Sequence, residues 1–223
     1  MKGPKVLGAA LGALFVIIGV LVPERPAKAH PHVFMDGGVD FVFDDQGALA
    51  SLGVTWHYDL FETLYVLSSL GILPAPDGTL TAENKARVIA HETTWPDDFK
   101  GAAHLEIEGK SLPLSNPKFV EVKLEDDRLV LRFTRHLEEP AAVAGRLAEV
   151  AFYEATYYYA FAVTDPPRLH GAHEGCVAGV KPFDPDAQTA ALQVMLSALG
   201  REETPEDANV GALFADRIFL DCR

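Results

Sequence analysis

The chain has no G-x-S-x-G, H-E-x-x-H, Walker or dinucleotide-binding motif. The spacings that mark common hydrolases, zinc proteases and nucleotide enzymes are therefore missing. Ser68 and Ser69 fall in a helical stretch with no paired base, so hydrolytic catalysis has no support. Basic residues are scarce: 19 Lys and Arg stand against 32 Asp and Glu, a formal charge of −13. Such a balance argues against nucleic acid and against docking on anionic lipid, and it favours cations. Cysteine is limited to Cys176 and Cys222, with no C-x-x-C. In an exported chain an even pair reads as one disulfide, worth roughly 3–4 kcal/mol in the chain-entropy picture. The competing reading is a thiolate metal pair. No internal repeat stands out.

The amino terminus differs from the rest. Lys2 and Lys5 are followed by LGAALGALFVIIGVLV, which carries no charge, and then by PERPAKA, with Ala27 and Ala29 placed as in an A-x-A cleavage site. A basic n-region, an apolar h-region and a small-residue c-region predict a secretory signal peptide over residues 1–29. An uncleaved anchor is the alternative, but the apolar run falls short of the roughly 20 residues a span needs. Residues 30–223 are thus expected to form a single exported domain with no stable membrane insertion. Losing the leader's four basic residues and one acidic residue takes the formal charge from −13 to −16.

The segment HVFMDGGVDFVFD reads as a strand, Asp44 to Gly47 as a turn, and ALASLGVTWHYD as the returning strand of a hairpin. Leu60, Leu64 and Leu67 recur at helical spacing in DLFETLYVLSSL, which Gly71 ends. Thr81 is placed to cap a second helix running to about Thr94. HLEIEG, KSLPL, KFVEVKLE and RLVLRFTRHL follow as short strands. VAFYEATYYYAFAV reads as one aromatic β-prone stretch, stopped by Asp165-Pro166-Pro167. A third helix spans 186–199, and a last strand runs from Ala215 to Cys222. The order predicts an α+β fold, a largely antiparallel sheet or sheets with about three helices packed alongside.

Chemistry concentrates in AKAHPHVFMD. A chain beginning at His30 offers its α-amine and ring nitrogen to one metal, a chelate resembling a histidine brace. His32 and Asp36 lie on the same face of an extended chain. Pro31 has no N–H, which blocks the square-planar amide mode and leaves the side chains and the amine as donors. It also pushes His30 towards an extended conformation. In the expected hairpin, residue 32 lies opposite roughly residue 60, which brings His57 and Asp59 near His32. Asp59 is equally suited to cap the following helix. His91 and Glu92 are adjacent on a helix and point different ways, so His91 reads as a surface or core residue. His170 and His173, in RLHGAHEGC, have ligand-like spacing in a Gly-rich loop and form a candidate second site. LPAPDGTLTAEN keeps the outline of a calcium loop, but Leu73 and Ala75 stand where carboxylates are needed, so a plain turn is expected.

Taken together, AHPHVFMD after a leader, VTWHYD, DGTLTAE and GALFADRIFLDC resemble the bacterial periplasmic proteins of domain-of-unknown-function family 1007. These are described as uncharacterised ABC-type transport periplasmic components. The resemblance implies an exported protein found beside nickel/cobalt-type permeases, with no activity attached. By position, His30, His32, Trp56, Asp59, Cys176 and Cys222 match the family pattern. His57 stands where many relatives carry an aromatic, and residues 73–84 are less acidic than in many of them. The expectation is a divalent transition-metal-binding protein for nickel, cobalt, zinc or copper. Its donors are His30, His32, His57, Asp59 and Asp36, and its partner is an inner-membrane metal transporter. Two alternatives remain open. One is an adaptor that contacts a permease without tight metal binding; the other is a copper-brace oxidative enzyme.

Overall fold

The computed structural model describes residues 31–95, 99, 101–200, 203, 205 and 209–223. The leader and His30 lie outside the described residues. In chain order the strands are β1 (Val33–Phe43), β2 (Ala48–Tyr58), β3 (Ala103–Ile107), β4 (Lys110–Leu112), β5 (Lys118–Glu125), β6 (Arg128–Ala142), β7 (Leu147–Phe152), β8 (Tyr159–Val163), β9 (Leu169–His170), β10 (Val177–Lys181) and β11 (Asp216–Asp221). The helices are α1 (Leu60–Ser69), α2 (Ala82–Thr93) and α3 (Ala187–Leu196).

Alternation builds β1: Val33, Met35, Val39, Phe41 and Phe43 are buried, while Phe34, Asp36 and Asp40 point outwards. This is the period-two pattern of a strand with one face on a core. The Asp44 carboxylate accepts the Gln46 and Ala48 N–H groups at 2.9 Å each, and Gly47 takes φ 77°, so the chain turns back as β2. Met35 then faces Tyr58 and Asp36 faces His57, within one residue of the expected register. Gly37 has no room for a side chain, because a Cβ there would lie 2.0 Å from the Thr55 carbonyl oxygen. The Gly37 carbonyl accepts the N–H groups of Thr164 and Asp165 at 2.9 and 3.0 Å, which brings the segment after β8 against β1.

One sheet runs β5-β6-β2-β1-β8, with β9 also on β1, and a second runs β10-β11-β7-β3-β4. All pairings are antiparallel except those of β8 and β9 with β1. The inner faces meet in one cluster, with Phe41, Leu52 and Leu131 from the first sheet and Leu105, Phe152 and Ile218 from the second. The fold is α+β, as the element order predicts.

Two local expectations change. In α1 the buried residues are Thr63, Val66 and Leu67, while Leu60 and Leu64 are exposed along with Phe61 and Tyr65. VAFYEATYYYAFAV is two strands in different sheets rather than one stretch. The Glu154 carboxylate takes the N–H groups of Thr156 and Tyr158 and the Thr156 hydroxyl at 2.8–3.0 Å, and Tyr157 sits at φ 61°. Local side-chain-to-backbone bonding of this kind competes with a sheet ladder and turns the chain. The cysteines form the disulfide Cys176–Cys222, and the thiolate reading falls.

Candidate functional site

The hairpin brings His32, Asp36, His57 and Asp59 to the same end of its ladder, but it gives each of them other partners. His32 enters β1 with its N–H on the Tyr158 carbonyl at 2.9 Å and its ring 4.7 Å from the Tyr158 ring. Asp59 lies beside the same end of the strand. It accepts the Phe34 N–H at 3.1 Å and caps α1 by accepting the Glu62 N–H at 2.8 Å. Asp36 and His57 are cross-strand neighbours on the outer face. Asp36 pairs with Arg128 at 2.8 Å, and Arg128 also donates to the Tyr58 and His57 carbonyls. The His57 Nε2 lies 3.0 Å from the Asp165 carboxylate. Among the described residues, no three His, Cys, Asp or Glu side chains converge as a metal site; His30 is not among them. Asp165 and Arg128 were invisible in sequence, because they lie 108 and 92 residues from their partners.

The rings of the second candidate pair also have other partners. The His170 Nε2 lies 3.1 Å from Asp40, and the His173 Nδ1 lies 2.7 Å from the Gly171 carbonyl. In the 73–84 loop, Asp77 accepts the Thr79 N–H and hydroxyl at 3.0 and 2.7 Å, which makes the turn that was expected.

A cavity of about 390 Å³ opens behind the β1–β2 ladder. Its walls are Met35 from β1, Trp56 and Tyr58 from β2, Tyr159 and Phe161 from β8, and Trp95 and Phe99 after α2. Glu62 and Tyr65 of α1, His91 and Glu92 of α2, and Glu154 complete it. Alternation explains the strand members: Trp56 and Tyr58 are the inward positions of β2. Trp56 stacks on Trp95 at 5.8 Å and meets the edge of Phe133 at 4.9 Å. Glu92 is the polar hub, accepting the Tyr58 hydroxyl at 2.5 Å and lying 2.7 Å from the His91 Nδ1. The neighbouring pair that sequence reading sent apart therefore meets.

The electrostatics are one-sided. Burial raises the Glu62 carboxyl above its ordinary value, and the charges of Glu92 and then Asp59 push it further. The Tyr58 hydroxyl is raised by burial and by Glu92, and Tyr159 by burial and then by Glu62 and Glu92. Because folded Glu62 holds its proton to higher pH than the unfolded chain, stability falls as pH rises from the ordinary carboxyl range through the raised value. Glu62→Gln is expected to raise the melting temperature at about pH 7.5, with the gain shrinking towards about pH 4. Thermal unfolding at both pH values checks this, and a lowered melting point at the higher pH refutes it.

Among the described residues, no helix is long and apolar enough to cross a membrane. The class defined by fold and site is an α+β protein of two mostly antiparallel sheets with an acidic, aromatic-walled cavity beside the strand that follows His32. The chain belongs to the family described as protein of unknown function (DUF1007), whose model matches residues 14–222. No curated protein and no solved structure matches it.

Proposed function

We propose that the protein is a periplasmic divalent transition-metal-binding protein that hands nickel, cobalt, zinc or copper to an inner-membrane transporter. His30 and His32 are its primary donors. The observation that carries this reading is the anchoring of His32. Its N–H is bonded to the Tyr158 carbonyl and its ring packs on the Tyr158 ring, so one imidazole is held in place two residues after the expected new terminus. A preorganised donor loses less entropy on binding than one on a frayed end. Asp59 stands next in line, because each carboxylate oxygen that takes one N–H keeps a free lone pair. Asp36 and His57 come last, since a metal must first displace Arg128 and Asp165. The acidic surface draws cations to the site.

The test is intact mass of the exported protein, followed by calorimetric titration with the four metals. A chain beginning at His30 is expected, with binding weakened about a hundredfold in His32→Ala and by under about threefold in His57→Ala. No binding to the mature chain, or binding untouched by His32→Ala, would remove the reading. The adaptor alternative has one observation in its favour: Leu60, Phe61, Leu64 and Tyr65 on α1 are exposed, as are nearby Phe34 and Leu73, with Phe61 and Leu73 at 87%. Exposed apolar patches mark contact surfaces.

A further inference from the structure

We propose that the aromatic cavity is a second site that binds a small alkylated-ammonium ligand. Two independent observations converge on this chemistry. The first is the wall: Trp56, Tyr58, Trp95, Tyr159 and Phe161 line one space of about 390 Å³. Aromatic faces attract a cation that also brings methyl groups to bury. The volume falls at the small end of ligand cavities, right for roughly ten non-hydrogen atoms.

The second is charge. Glu62, Glu92 and Glu154 all line the cavity, whereas its described lining includes no Lys or Arg. His91 is half-exposed and its Nδ1 is already on Glu92. Carboxylates gathered in an apolar setting are costly unless a cation joins them. The raised Glu62 carboxyl agrees with that unbalanced field.

A hard divalent metal fits less well. It needs several oxygens converging at close range, and no such group exists among the described residues. The Glu92 carboxylate is already engaged by Tyr58 and His91. A neutral apolar ligand would leave the carboxylates without a counter-charge. An alkylated ammonium answers walls and charge together. Tyr65, exposed at 63%, stands at the rim where a ligand would enter.

The chain has two tryptophans, and both are in the wall, so intrinsic emission reads occupancy without a label. The full exported protein is titrated with choline and with its uncharged carbon isostere, 3,3-dimethylbutan-1-ol. Choline is expected to give a saturable emission change with Kd below about 1 mM. The isostere should bind about tenfold more weakly or worse, as the loss of a desolvated cation–π contact implies. Glu62→Gln should weaken choline about tenfold and leave the isostere unchanged. The conservative variant keeps the side-chain shape, and the ligand pair needs no variant at all. No saturable change up to about 10 mM choline overturns the proposal, and so does equal binding of the isostere. Displacement of choline by nickel also overturns it, by making the cavity the metal site. His32→Ala is expected to leave the choline titration unchanged, so failure here and failure of the metal reading are separate results.

Discussion

Arg135→Ala is expected to destabilise the fold by about 3 kcal/mol, read from the urea midpoint at constant slope. Arg135 is 3% exposed, and its guanidinium donates to three backbone carbonyls: Nε to Ser115 at 2.9 Å, Nη1 to Ala103 at 3.2 Å and Nη2 to Leu114 at 3.2 Å. It thus ties β6 of the first sheet to β3 of the second. Burial pulls its pKa down to about 10. The unfolded chain binds the proton more tightly, so stability rises with pH only between that value and the ordinary one. At neutral pH the desolvation penalty is fully present, and the charge itself does not stabilise the fold. The stabilising element is the planar fork that satisfies three acceptors at once.

Alanine relieves the charge penalty but leaves those carbonyls short of donors, at about 1–3 kcal/mol each before relaxation. Arg135→Lys separates the two causes. It keeps the charge and loses the fork, so it is expected to recover less than about half of the loss. Full recovery by lysine would show that charge is what matters. The effect should also reach the cavity. The guanidinium covers one face of Trp95 at 5.3 Å, and Trp95 is one of its walls. A red shift of tryptophan emission in folded Arg135→Ala is the expected sign, and an unshifted spectrum would detach Arg135 from the site.

The parts of this molecule that were legible in sequence are those with local causes. The β1–β2 hairpin follows from alternation plus the Asp44 side chain and Gly47, and its register came within one residue. The Asp59 and Thr81 caps sit where their residue types point. Misreadings arise where local signals are ambiguous. Helix α1 is apolar around most of its circumference, so leucine spacing alone did not decide between the Leu60–Leu64 face and the Thr63–Val66–Leu67 face. Glu154 looks like one polar residue in an aromatic strand, yet its carboxylate folds back to make the turn.

The candidate site is mostly non-local. Asp36 and His57 have the right type for metal donors, but Arg128 and Asp165 decide what they do, and no periodicity announces such distant partners. The cavity depends on β8 running parallel to β1, a long-range pairing without a turn signature. Glu92 could not be placed until the Tyr58 hydroxyl was beside it.

Reducing the Cys176–Cys222 disulfide is expected to cost about 4 kcal/mol, a fall in melting temperature of about 8–16 °C. The two cysteines are 46 residues apart, and the loop they close contains β10, α3 and β11. Part of that loop has little independent support. Tyr157, Leu196, Val210 and Phe214 form a small cluster separate from the main core, and Leu196 is the one buried residue of α3. By contrast, β11 is hydrogen-bonded on both sides, to β10 and β7, and keeps its place by its own ladder. The crosslink therefore acts chiefly by restricting the unfolded chain, and the reduced protein should still fold. Cys176→Ser with Cys222→Ser should match reduction, because removing the link and not the sulfur is what matters. A loss under about 1 kcal/mol would mean that the unfolded chain already holds these ends together. The described residues of both proposed sites lie before Cys176, with His32 on one side and cavity walls from Met35 to Phe161 on the other. Choline and metal titrations of the folded reduced protein should thus be unchanged. A change in either would show that the loop closed by the disulfide helps to hold the site, which the strand pairings do not require.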